Sequence, residues 1–459
     1  MKMNPYIFRE YDVRGGAEVD FDGEFAYTLA RATATHGQKY GARKMMVGRD
    51  CRLTSDGYAE AVMKGFVDSG IEAVDIGVCP SPVFYFSVIH FEADGGIMIT
   101  ASHNPSDQNG FKIHLGGGTI FGAEILEVKD VIEAGKFVSG SGSRRSEDIV
   151  APYKKFMLEN IKIERGLKVA VDAGNGTSGP LAPTILRELG CTVRELFCDM
   201  DGTFPNHHPD PTVPDNVTDL IAAVRSGSLD VGIGFDGDGD RIGVVDDRGK
   251  LLFGDKLLVL FAREILSRKP GATIIGEVKC SRLLYEDIQA HGGNAVMWKA
   301  GHSLIKAKMK ELDAELAGEM SGHMFFKDRF FGYDDALYAA CRLVEILSKT
   351  DKSLSELLAD LPETFTTPEI RVEIPDDIKF DVVAGAQKHF ADKHETVDVD
   401  GVRILFDDGA WGLIRASNTQ PALVLRYEAD TPERLDEVRA YVEEDLANIR
   451  SRVEEGRRE

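Results

Sequence analysis

The chain has 459 residues, a formal net charge of −22 at pH 7 and 43% hydrophobic residues. That length is too great for one hydrophobic core and predicts three or four domains. The acidic balance argues against nucleic acid as a partner, because phosphate backbones are bound by basic surfaces. Charge interrupts every long apolar stretch, so we expect no membrane span.

The N-terminus and the cysteines bear on the cellular compartment. The first 16 residues include Arg9, Glu10, Asp12 and Arg14 and lack the apolar core of a signal peptide, so we predict no leader. The six cysteines are sparse and show no C-x-x-C spacing, which is typical of reduced thiols. We therefore expect a cytoplasmic protein.

The first predicted domain covers residues 1–149 and has the pattern of a parallel α/β unit. Strands predicted at 44–48 and 71–76 flank a helix whose apolar residues recur at helical spacing. The stretch 135–147 is rich in Ser and Gly and predicts a linker. In such units ligands collect at the carboxyl ends of strands.

The rest of the chain divides into three further predicted domains. Residues 150–250 and 251–364 read as two more α/β units, and loops at 48–50, 172–176 and 236–240 hint at duplication. Beyond a Pro-containing hinge candidate at 361–368, residues 365–459 predict a smaller domain with hairpin turns at Asp400-Gly401 and Asp408-Gly409. The predicted fold class is therefore α/β, with three similar domains on mixed or parallel sheets and a smaller α+β C-terminal domain.

A short polar loop follows the apolar run at 96–99. It reads Thr-Ala-Ser102-His103-Asn104-Pro105, and Lys112 lies close enough in sequence to return to it. A serine carries a phosphoryl group only if one neighbour takes its proton and another neutralises the developing charge, and His103 titrates near neutral pH. We expect Ser102 in an exposed turn at the tip of a buried strand. A solvated polar turn is the alternative for this motif alone.

Three aspartates alternate with glycines after the predicted strand at 231–235. In a curled loop Asp236, Asp238 and Asp240 can converge, and oxygen-only ligands favour Mg²⁺ over zinc. An EF-hand would need Gly where Arg241 stands, so it is excluded. A phosphatase of the haloacid-dehalogenase type, with Asp236 as nucleophile, and a solvated acidic turn remain as alternatives. Arg241 is placed to hold phosphoryl oxygens.

Two later loops carry groups that suit a sugar phosphate. Glu319, Ser321 and His323 alternate along a Gly-flanked loop and offer partners for a polyol's hydroxyls. A second loop offers a guanidinium, hydroxyls and an amide as a phosphate cradle, from Arg415, Ser417, Asn418 and Thr419. Each loop also reads as an ordinary capped turn when taken alone.

Taken in order, the four loops resemble those of the α-D-phosphohexomutases, and in particular the bacterial phosphomannomutase/phosphoglucomutase enzymes. The resemblance runs from Phe8 to about Ala429 and implies a monomer whose four domains each give one loop to a central cleft. It implies that Ser102 carries a phosphoryl group. It also implies that Asp236, Asp238 and Asp240, together with a phosphoserine oxygen, hold Mg²⁺.

The same resemblance implies roles for the remaining site residues. Glu319 and Ser321 would bind the sugar 3- and 4-hydroxyls. The phosphate that is not reacting would lie on Arg415, Ser417, Asn418 and Thr419. Other positions that resemble the family's cleft residues are Tyr11, Arg14, Lys112, Arg241, Lys279, His302 and His323.

The expected reaction is reversible phosphoryl transfer between C6 and C1 of a hexose phosphate through a hexose 1,6-bisphosphate. His103, Lys112 and His323 are the candidates for proton transfer, and the sequence does not choose among them. Met320 favours mannose or glucose phosphate, because phosphoglucosamine mutases resemble this loop with Gln at that position. The alternatives are such a phosphoglucosamine mutase, a Mg²⁺-dependent sugar phosphatase and a non-catalytic sugar-phosphate sensor.

Overall fold

The computed structural model describes residues 4–418 and 420–457. Four β-sheets of seven, five, four and six strands follow one another along the chain. One apolar cluster, with members between Met46 and Leu354, joins the first three sheets, whereas the first domain and the fourth sheet each also have a cluster of their own. A small cluster of Val278, Trp411 and Leu413 joins the third domain to the fourth sheet. The first three domains therefore share a core, and the fourth packs against them as a separately built unit.

The first sheet has the strand order β1-β5-β4-β2-β3-β7, with β6 added to β5. Its central strands pair in parallel, and β1, β5 and β6 run antiparallel to their neighbours. The elements are β1 (Val13–Gly16), α1 (Gly23–Gly37), β2 (Lys44–Arg49), α2 (Ser55–Asp68), β3 (Glu72–Val78), α3 (Ser81–His90), β4 (Gly95–Ile99), β5 (Gln108–Leu115), β6 (Gly118–Thr119), α4 (Ala123–Ala134), β7 (Ser143–Ser146) and α5 (Val150–Asn160).

The predicted linker at 135–147 is wrong in its second half, because that half forms β7. This strand pairs in parallel with β3 at the edge of the sheet. Its side chains are mostly exposed, so the sequence has none of the apolar alternation that marks a half-buried strand. Arg144 and Glu60 form an ion pair that ties the strand to α2.

The second and third sheets have the orders β12-β11-β10-β8-β9 and β14-β13-β15-β16. The second domain contains β8 (Lys168–Asp172), α6 (Ala182–Glu188), β9 (Thr192–Leu196), α7 (Thr218–Gly227), β10 (Val231–Phe235), β11 (Ile242–Val245) and β12 (Leu251–Leu252). The third contains α8 (Gly254–Arg268), β13 (Thr273–Glu277), α9 (Arg282–Ala290), β14 (Asn294–Trp298), α10 (His302–Leu312), β15 (Leu316–Gly318), β16 (Met324–Phe326), α11 (Ala336–Ser348) and α12 (Leu354–Leu357).

The fourth sheet is antiparallel throughout, in the order β17-β22-β21-β20-β19 with β18 also on β22. Both predicted hairpin turns are present, and Gly401 and Gly409 adopt the positive φ of 79° and 84° that such turns need. The elements are β17 (Phe365–Thr366), β18 (Ile370–Glu373), α13 (Lys379–Ala391), β19 (Glu395–Val397), β20 (Val402–Leu405), β21 (Trp411–Ala416), β22 (Ala422–Ala429) and α14 (Pro432–Gly456). Because β17 pairs with β22, the end of the hinge candidate already belongs to this sheet.

The first three sheets share one strand pattern, which confirms the hint of duplication. Two parallel strands stand side by side, a third parallel strand joins them, and an antiparallel strand follows: β3-β2-β4-β5, β9-β8-β10-β11 and β14-β13-β15-β16. The repeat equates β4 with β10 and β15, so the loop at 236–240 corresponds to the Ser102 loop and not to the loops at 48–50 and 172–176.

The expectations of reduced cysteines and of no membrane span can be compared with the structure. All six cysteines are free thiols. Across residues 4–418 and 420–457, every helix is too short or too polar to span a bilayer.

Candidate active site

The four chemistry-bearing loops occupy the same place in their domains. Each joins two neighbouring antiparallel strands: β4 to β5, β10 to β11, β15 to β16 and β21 to β22. They meet at a cleft of about 650 Å³. The sequence-predicted residues that line it are Tyr11, Arg14, His103, Arg241, Lys279, His302, Glu319, Ser321, His323, Arg415, Ser417 and Asn418.

Ser102 lies just beneath the cleft wall formed by His103. Pro105, Ser106 and Asp107 of the turn are exposed as expected, but Ser102 itself is only 3% exposed, so the expectation that it faces solvent is wrong. The cause is the neighbouring metal-site loop, whose Gly237 passes so close that a Cβ there would lie 2.5 Å from the Ser102 carbonyl oxygen. Ser102 Oγ donates a hydrogen bond of 2.7 Å to Asp236 Oδ2 and lies 3.1 Å from His103 Nδ1.

Asp236, Asp238 and Asp240 converge directly behind the serine. One carboxylate oxygen from each lies within 4.8 Å of the others, and all three residues are buried. Burial and the two neighbouring carboxylates raise the pKa of Asp236 well above its usual value. Within the described ranges, Asp238 Oδ1 and Asp240 Oδ1 have no hydrogen-bond partner. This set of hard carboxylate oxygens fits a divalent metal ion.

Lys112 is the cation nearest to this acidic cluster. Its Nζ donates to Asp238 Oδ2 at 2.7 Å and to Asp240 Oδ2 at 2.6 Å, and the residue is 2% exposed. Although burial alone would lower it, the two carboxylates raise the pKa of Lys112 well above its usual value. Lys112 therefore remains a charged donor.

The pKa of His103 is shifted toward the neutral form, whereas that of Lys112 is shifted toward the charged form. Desolvation and the nearby guanidinium groups of Arg241 and Arg14 hold the pKa of His103 well below its usual value. The imidazole is therefore neutral near pH 7. It offers Ser102 Oγ a hydrogen-bonding neighbour that adds no positive charge.

His323 links the sugar loop to the metal loop. Its Nε2 accepts a hydrogen bond of 3.0 Å from Arg241 Nε, and its Nδ1 lies 3.1 Å from Asp334 Oδ2. Asp334 is completely buried and also accepts from Lys306 Nζ at 3.0 Å. Because the Arg241 guanidinium only donates, Nε2 of a neutral His323 is the acceptor, and its proton lies on Nδ1, which is close to Asp334 without a hydrogen bond to it.

Asp334 was not anticipated from the sequence. It stands beside Asp335, which caps α11 by accepting from the Tyr338 amide at 2.8 Å. An Asp-Asp pair in front of a helix reads as a capping signal, and only one of the two carboxylates can be the cap. The second aspartate, which the cap does not need, was the only feature of the sequence that could have pointed to Asp334.

The sugar loop turns alternate side chains in opposite directions. Glu319 and Ser321 line the cleft, and Glu319 Oε1 accepts from the Gly301 amide at 2.7 Å. Met320 instead packs into the large apolar core and is 7% exposed. Its side chain does not line the cleft, so it does not select the sugar by direct contact.

The fourth loop faces the first across the cleft. Arg415 Nε donates to Asp400 Oδ2 at 2.9 Å, and Asn418 Nδ2 donates to Tyr11 Oη at 2.6 Å. Lys379, which the sequence did not indicate, donates to the carbonyl oxygens of Ser417 and Gln420 at 2.7 and 3.1 Å. Thr419, predicted to bind phosphate, lies outside the described residues.

The cleft reverses the charge of the protein as a whole. Among the described residues, six arginines and lysines line it against four acidic residues, on a chain whose net charge is −22. Arg371 and Glu369 belong to this lining and were missed. Glu369 Oε2 accepts from Lys279 Nζ at 3.0 Å, and Arg371 pairs with its other carboxylate oxygen. A cleft with this balance suits an anionic small molecule.

Comparison with known proteins identifies the family. Four domain models match in order: "Phosphoglucomutase/phosphomannomutase, alpha/beta/alpha" domains I, II and III over residues 5–139, 149–249 and 253–365, and the C-terminal domain over 369–445. The chain belongs to the phosphoglucomutase/phosphomannomutase family. The expected family and the four-domain α/β architecture are thereby confirmed.

Relatives match nearly the whole chain. The "Phosphomannomutase/phosphoglucomutase" of Pseudomonas aeruginosa is 44% identical over 97% of this chain and 96% of its own length. The "Phosphoglucomutase" of Neisseria meningitidis is 45% identical over 94% of this chain and 95% of its own. Members of this family are isomerases, so the expectation of an enzyme is confirmed.

Solved structures agree with the family assignment. A phosphoglucomutase/phosphomannomutase family protein from Burkholderia thailandensis superposes with a TM-score of 0.91 at 40% identity and 98% coverage of both chains. An Aspergillus fumigatus N-acetylphosphoglucosamine mutase, solved with GlcNAc-6P and magnesium, has a TM-score of 0.63 at 15% identity, covering 95% of this chain and 94% of its own. The second likeness shows a shared fold alone.

Proposed function

We propose that this protein interconverts the 6- and 1-phosphates of glucose or mannose through a phosphoserine at Ser102 and a hexose 1,6-bisphosphate. The observation that carries the proposal is the contact of 2.7 Å between Ser102 Oγ and Asp236 Oδ2, at the edge of a basic cleft. It puts a candidate phosphoryl carrier beside an acidic metal site. The full-length relatives named phosphomannomutase/phosphoglucomutase support the same reaction.

The cleft offers the three parts that such a reaction needs. Ser102 would carry the reactive phosphoryl group. Arg415, Ser417, Asn418 and Thr419 would bind the phosphate that is not reacting. Between them, Glu319 and Ser321 would hold the sugar by hydroxyls that are present in either orientation of the ring. The remaining candidate cleft contacts are Tyr11, Arg14, Lys279 and His302.

The metal is proposed to be Mg²⁺, held by one oxygen each of Asp236, Asp238 and Asp240 and by a phosphoserine oxygen. A bound Mg²⁺ would neutralise charge on the phosphoryl oxygens. Arg241, which lines the cleft, would bind those oxygens as a planar donor. Lys112 offsets part of the carboxylate charge, which keeps three buried acids together.

Among the three candidates for proton transfer, the geometry favours His323. Lys112 is held as a charged donor by two carboxylates, and His103 faces the serine hydroxyl. His323 lines the cleft with Asp334 behind its Nδ1. A sugar hydroxyl that displaces Arg241 from Nε2 would meet a proton acceptor, and it would free Arg241 for the phosphoryl group.

Each half-reaction exchanges one P–O bond for another. The bond from phosphorus to Ser102 Oγ breaks while a bond forms to the sugar hydroxyl oxygen, whose proton passes to His323 Nε2. The serine oxygen would regain a proton through its neighbour His103, and His323 would release the proton that it took, so that no net proton is gained or lost. After the bisphosphate has turned over in the cleft, the same steps run backwards with its other phosphate. The burial of Ser102 limits water, which would otherwise hydrolyse the ester.

The substrate class rests on the relatives and not on Met320, which does not reach the cleft. Two alternatives are the phosphoglucosamine mutase reaction and a phosphatase reaction with Asp236 as nucleophile. All described loops of the site come from one chain, which supports a monomer as the working unit. The predicted cytoplasmic location remains an expectation.

A kinetic panel with Ser102→Ala as the control tests this function. We expect the wild type to convert mannose 1-phosphate and glucose 1-phosphate with a requirement for catalytic hexose 1,6-bisphosphate. Glucosamine 1-phosphate should react more slowly. Ser102→Ala should bind these compounds in calorimetry without turnover. Steady release of inorganic phosphate with no bisphosphate requirement would favour the phosphatase instead.

A further inference from the structure

Arg52 lies outside the cleft, yet its side chain makes extensive contacts with the Ser102 loop. It follows β2 in the tripeptide Asp50-Cys51-Arg52, and its side chain is completely buried. It does not line the cleft. No feature of its local sequence suggests a link to residues fifty positions later in the chain.

All five N–H donors of this guanidinium are used. Nη2 donates to the carbonyl oxygens of Ser102 at 2.9 Å and Asn104 at 2.6 Å. Nη1 donates to the carbonyl oxygens of Pro105 and Gln108, the latter at 3.0 Å. Nε donates to Asp50 Oδ2 at 3.1 Å. Four carbonyls of a single turn are thus gathered on one planar cation.

The Ser102 loop needs outside support of this kind. Ser102 has a φ of +52°, in the left-handed region that L-residues with a Cβ disfavour. Its carbonyl oxygen also faces the close approach of Gly237. A backbone in a disfavoured conformation persists only where its surroundings fix it, and here Arg52 binds the carbonyl of the strained residue itself.

Arg52 is in turn fixed from both sides. Asp50, which accepts from its Nε, is also held by Ser55 Oγ at 2.6 Å. From the second domain, the ring of Phe204 covers the guanidinium, with its centroid 5.0 Å from the central carbon. Gly202 permits this approach, since a Cβ there would lie 2.2 Å from the Cys51 carbonyl oxygen. The cation is therefore sealed between two domains.

We propose that Arg52 is a positioning residue that sets the direction of Ser102 Oγ for phosphoryl transfer, an inference that rests on the proposed mutase function. It lies outside the cleft and reaches Ser102 only through the backbone carbonyl, not through the side chain that would carry the phosphoryl group. Its effect passes through the backbone of residues 102–108, so it should govern the chemical step and leave substrate affinity nearly unchanged. A lysine, which is a single-point donor with three N–H groups, cannot span four carbonyls.

Arg342 provides a matched control. It is completely buried in the third domain and donates to Glu264 Oε2 at 2.7 Å and Asp328 Oδ2 at 3.1 Å. Like Arg52 it is a fully enclosed cation whose loss should reduce stability. It does not line the cleft, so its loss should leave turnover by the folded protein unchanged.

The experiment compares Arg52→Met, Arg52→Lys and Arg342→Met in the full-length protein, with rates divided by the folded fraction. For Arg52→Met we expect kcat to fall about 100-fold, the effect of a misplacement of about 1 Å, while KM stays within about threefold. Arg52→Lys should recover only part of the loss. Phosphorylation of Ser102 by glucose 1,6-bisphosphate, followed by intact mass, should slow by the same factor. In Arg52→Ala, millimolar guanidinium should restore part of kcat.

The outcomes separate this inference from the function on which it rests. If the wild type shows no mutase turnover, both fail. If the wild type turns over and the Arg52 variants match Arg342→Met in kcat, the positioning role is overturned and the mutase function stands. A rise in KM with kcat unchanged would overturn the positioning role in the same way. Should Arg52→Met not fold, Arg52→Lys decides, because a kcat equal to that of the wild type would also overturn the role.

Discussion

Two loops face each other across the cleft, and they are held in different ways. Ser102 itself is buried, although Pro105, Ser106 and Asp107 of its turn are exposed, and a planar guanidinium with five donors binds four carbonyls of this turn. The turn after Arg415 has an exposed Gln420 and a half-buried Asn418, and the ammonium of Lys379 binds two of its carbonyls. The guanidinium of Arg52 fixes the orientation of the backbone that it binds, whereas the ammonium of Lys379 supplies positive charge with less geometric constraint.

The same contrast appears in the cores beneath the loops. The Ser102 loop belongs to the body formed by the first three domains, which share one apolar cluster, and the fourth domain has its own. A reacting phosphoryl group needs a fixed position, while a passive phosphate site has to accept either end of a bisphosphate. The difference in how the two loops are held would therefore match the two tasks proposed for them.

The largest expected effect is on the reactive side of this contrast. Replacing His323 with Gln should lower kcat by about 10²- to 10⁴-fold, the usual contribution of a general base, with little change in KM. His394→Gln is the control, because His394 lies in the fourth domain beside Tyr441 and away from the cleft. Equal kcat values for the two variants in a coupled assay would remove His323 from the chemical step.

A smaller effect is expected on the passive side. Lys379→Met removes the cation behind Ser417 and Gln420 and should raise KM about three- to tenfold, with kcat nearly unchanged. Lys379→Arg should be close to the wild type, whereas Arg52→Lys should not be, because only the Ser102 turn depends on a fork of donors. A loss of kcat for Lys379→Met that equals the loss for Arg52→Met would break the comparison between the loops.

The smallest expected effect concerns the loop that carries Phe204 over Arg52. His207 Nε2 lies 3.1 Å from Asp172 Oδ1, and its Nδ1 lies 2.9 Å from the His208 carbonyl oxygen. Although burial lowers it, the hydrogen bond with Asp172 raises the pKa of His207 above 6.5. The charged form therefore stabilises the fold below that pH, and its contribution is lost as pH rises through the raised value.

This prediction is checked by thermal unfolding at several pH values. Between about pH 6 and pH 8, the wild-type midpoint should fall by about 1 to 2 °C more than that of His207→Gln. His394→Gln should follow the wild type. Parallel curves for the wild type and His207→Gln would show that the imidazolium does not hold this loop.

The sequence predicted much of the fold for identifiable reasons. Buried parallel strands such as β10 are short apolar runs that end in Gly/Asp loops, and β10 was located at the residues where it occurs. The edge strand β7 was missed because exposed strands carry no apolar alternation. The burial of Ser102 was missed because another domain causes it, through Gly237.

The residues of the candidate site show the same difference between local patterns, which the sequence reveals, and long-range contacts, which it does not. Twelve of the residues indicated by the four loops and by the family resemblance line the cleft. Arg52, Asp334 and Lys379 act on those loops from other parts of the chain, and long-range contacts leave no local pattern in a single sequence. These three buried residues illustrate that a site also contains residues that hold the loops in place.

Intact mass spectrometry of the purified protein tests the central claim most directly. After incubation with glucose 1,6-bisphosphate, the protein should gain the mass of one phosphate, located at Ser102 by peptide mapping. A stoichiometric amount of hexose monophosphate should then remove it, with bisphosphate and not inorganic phosphate as the product. A protein that never gains this mass, or that carries it on an aspartate, would contradict the account.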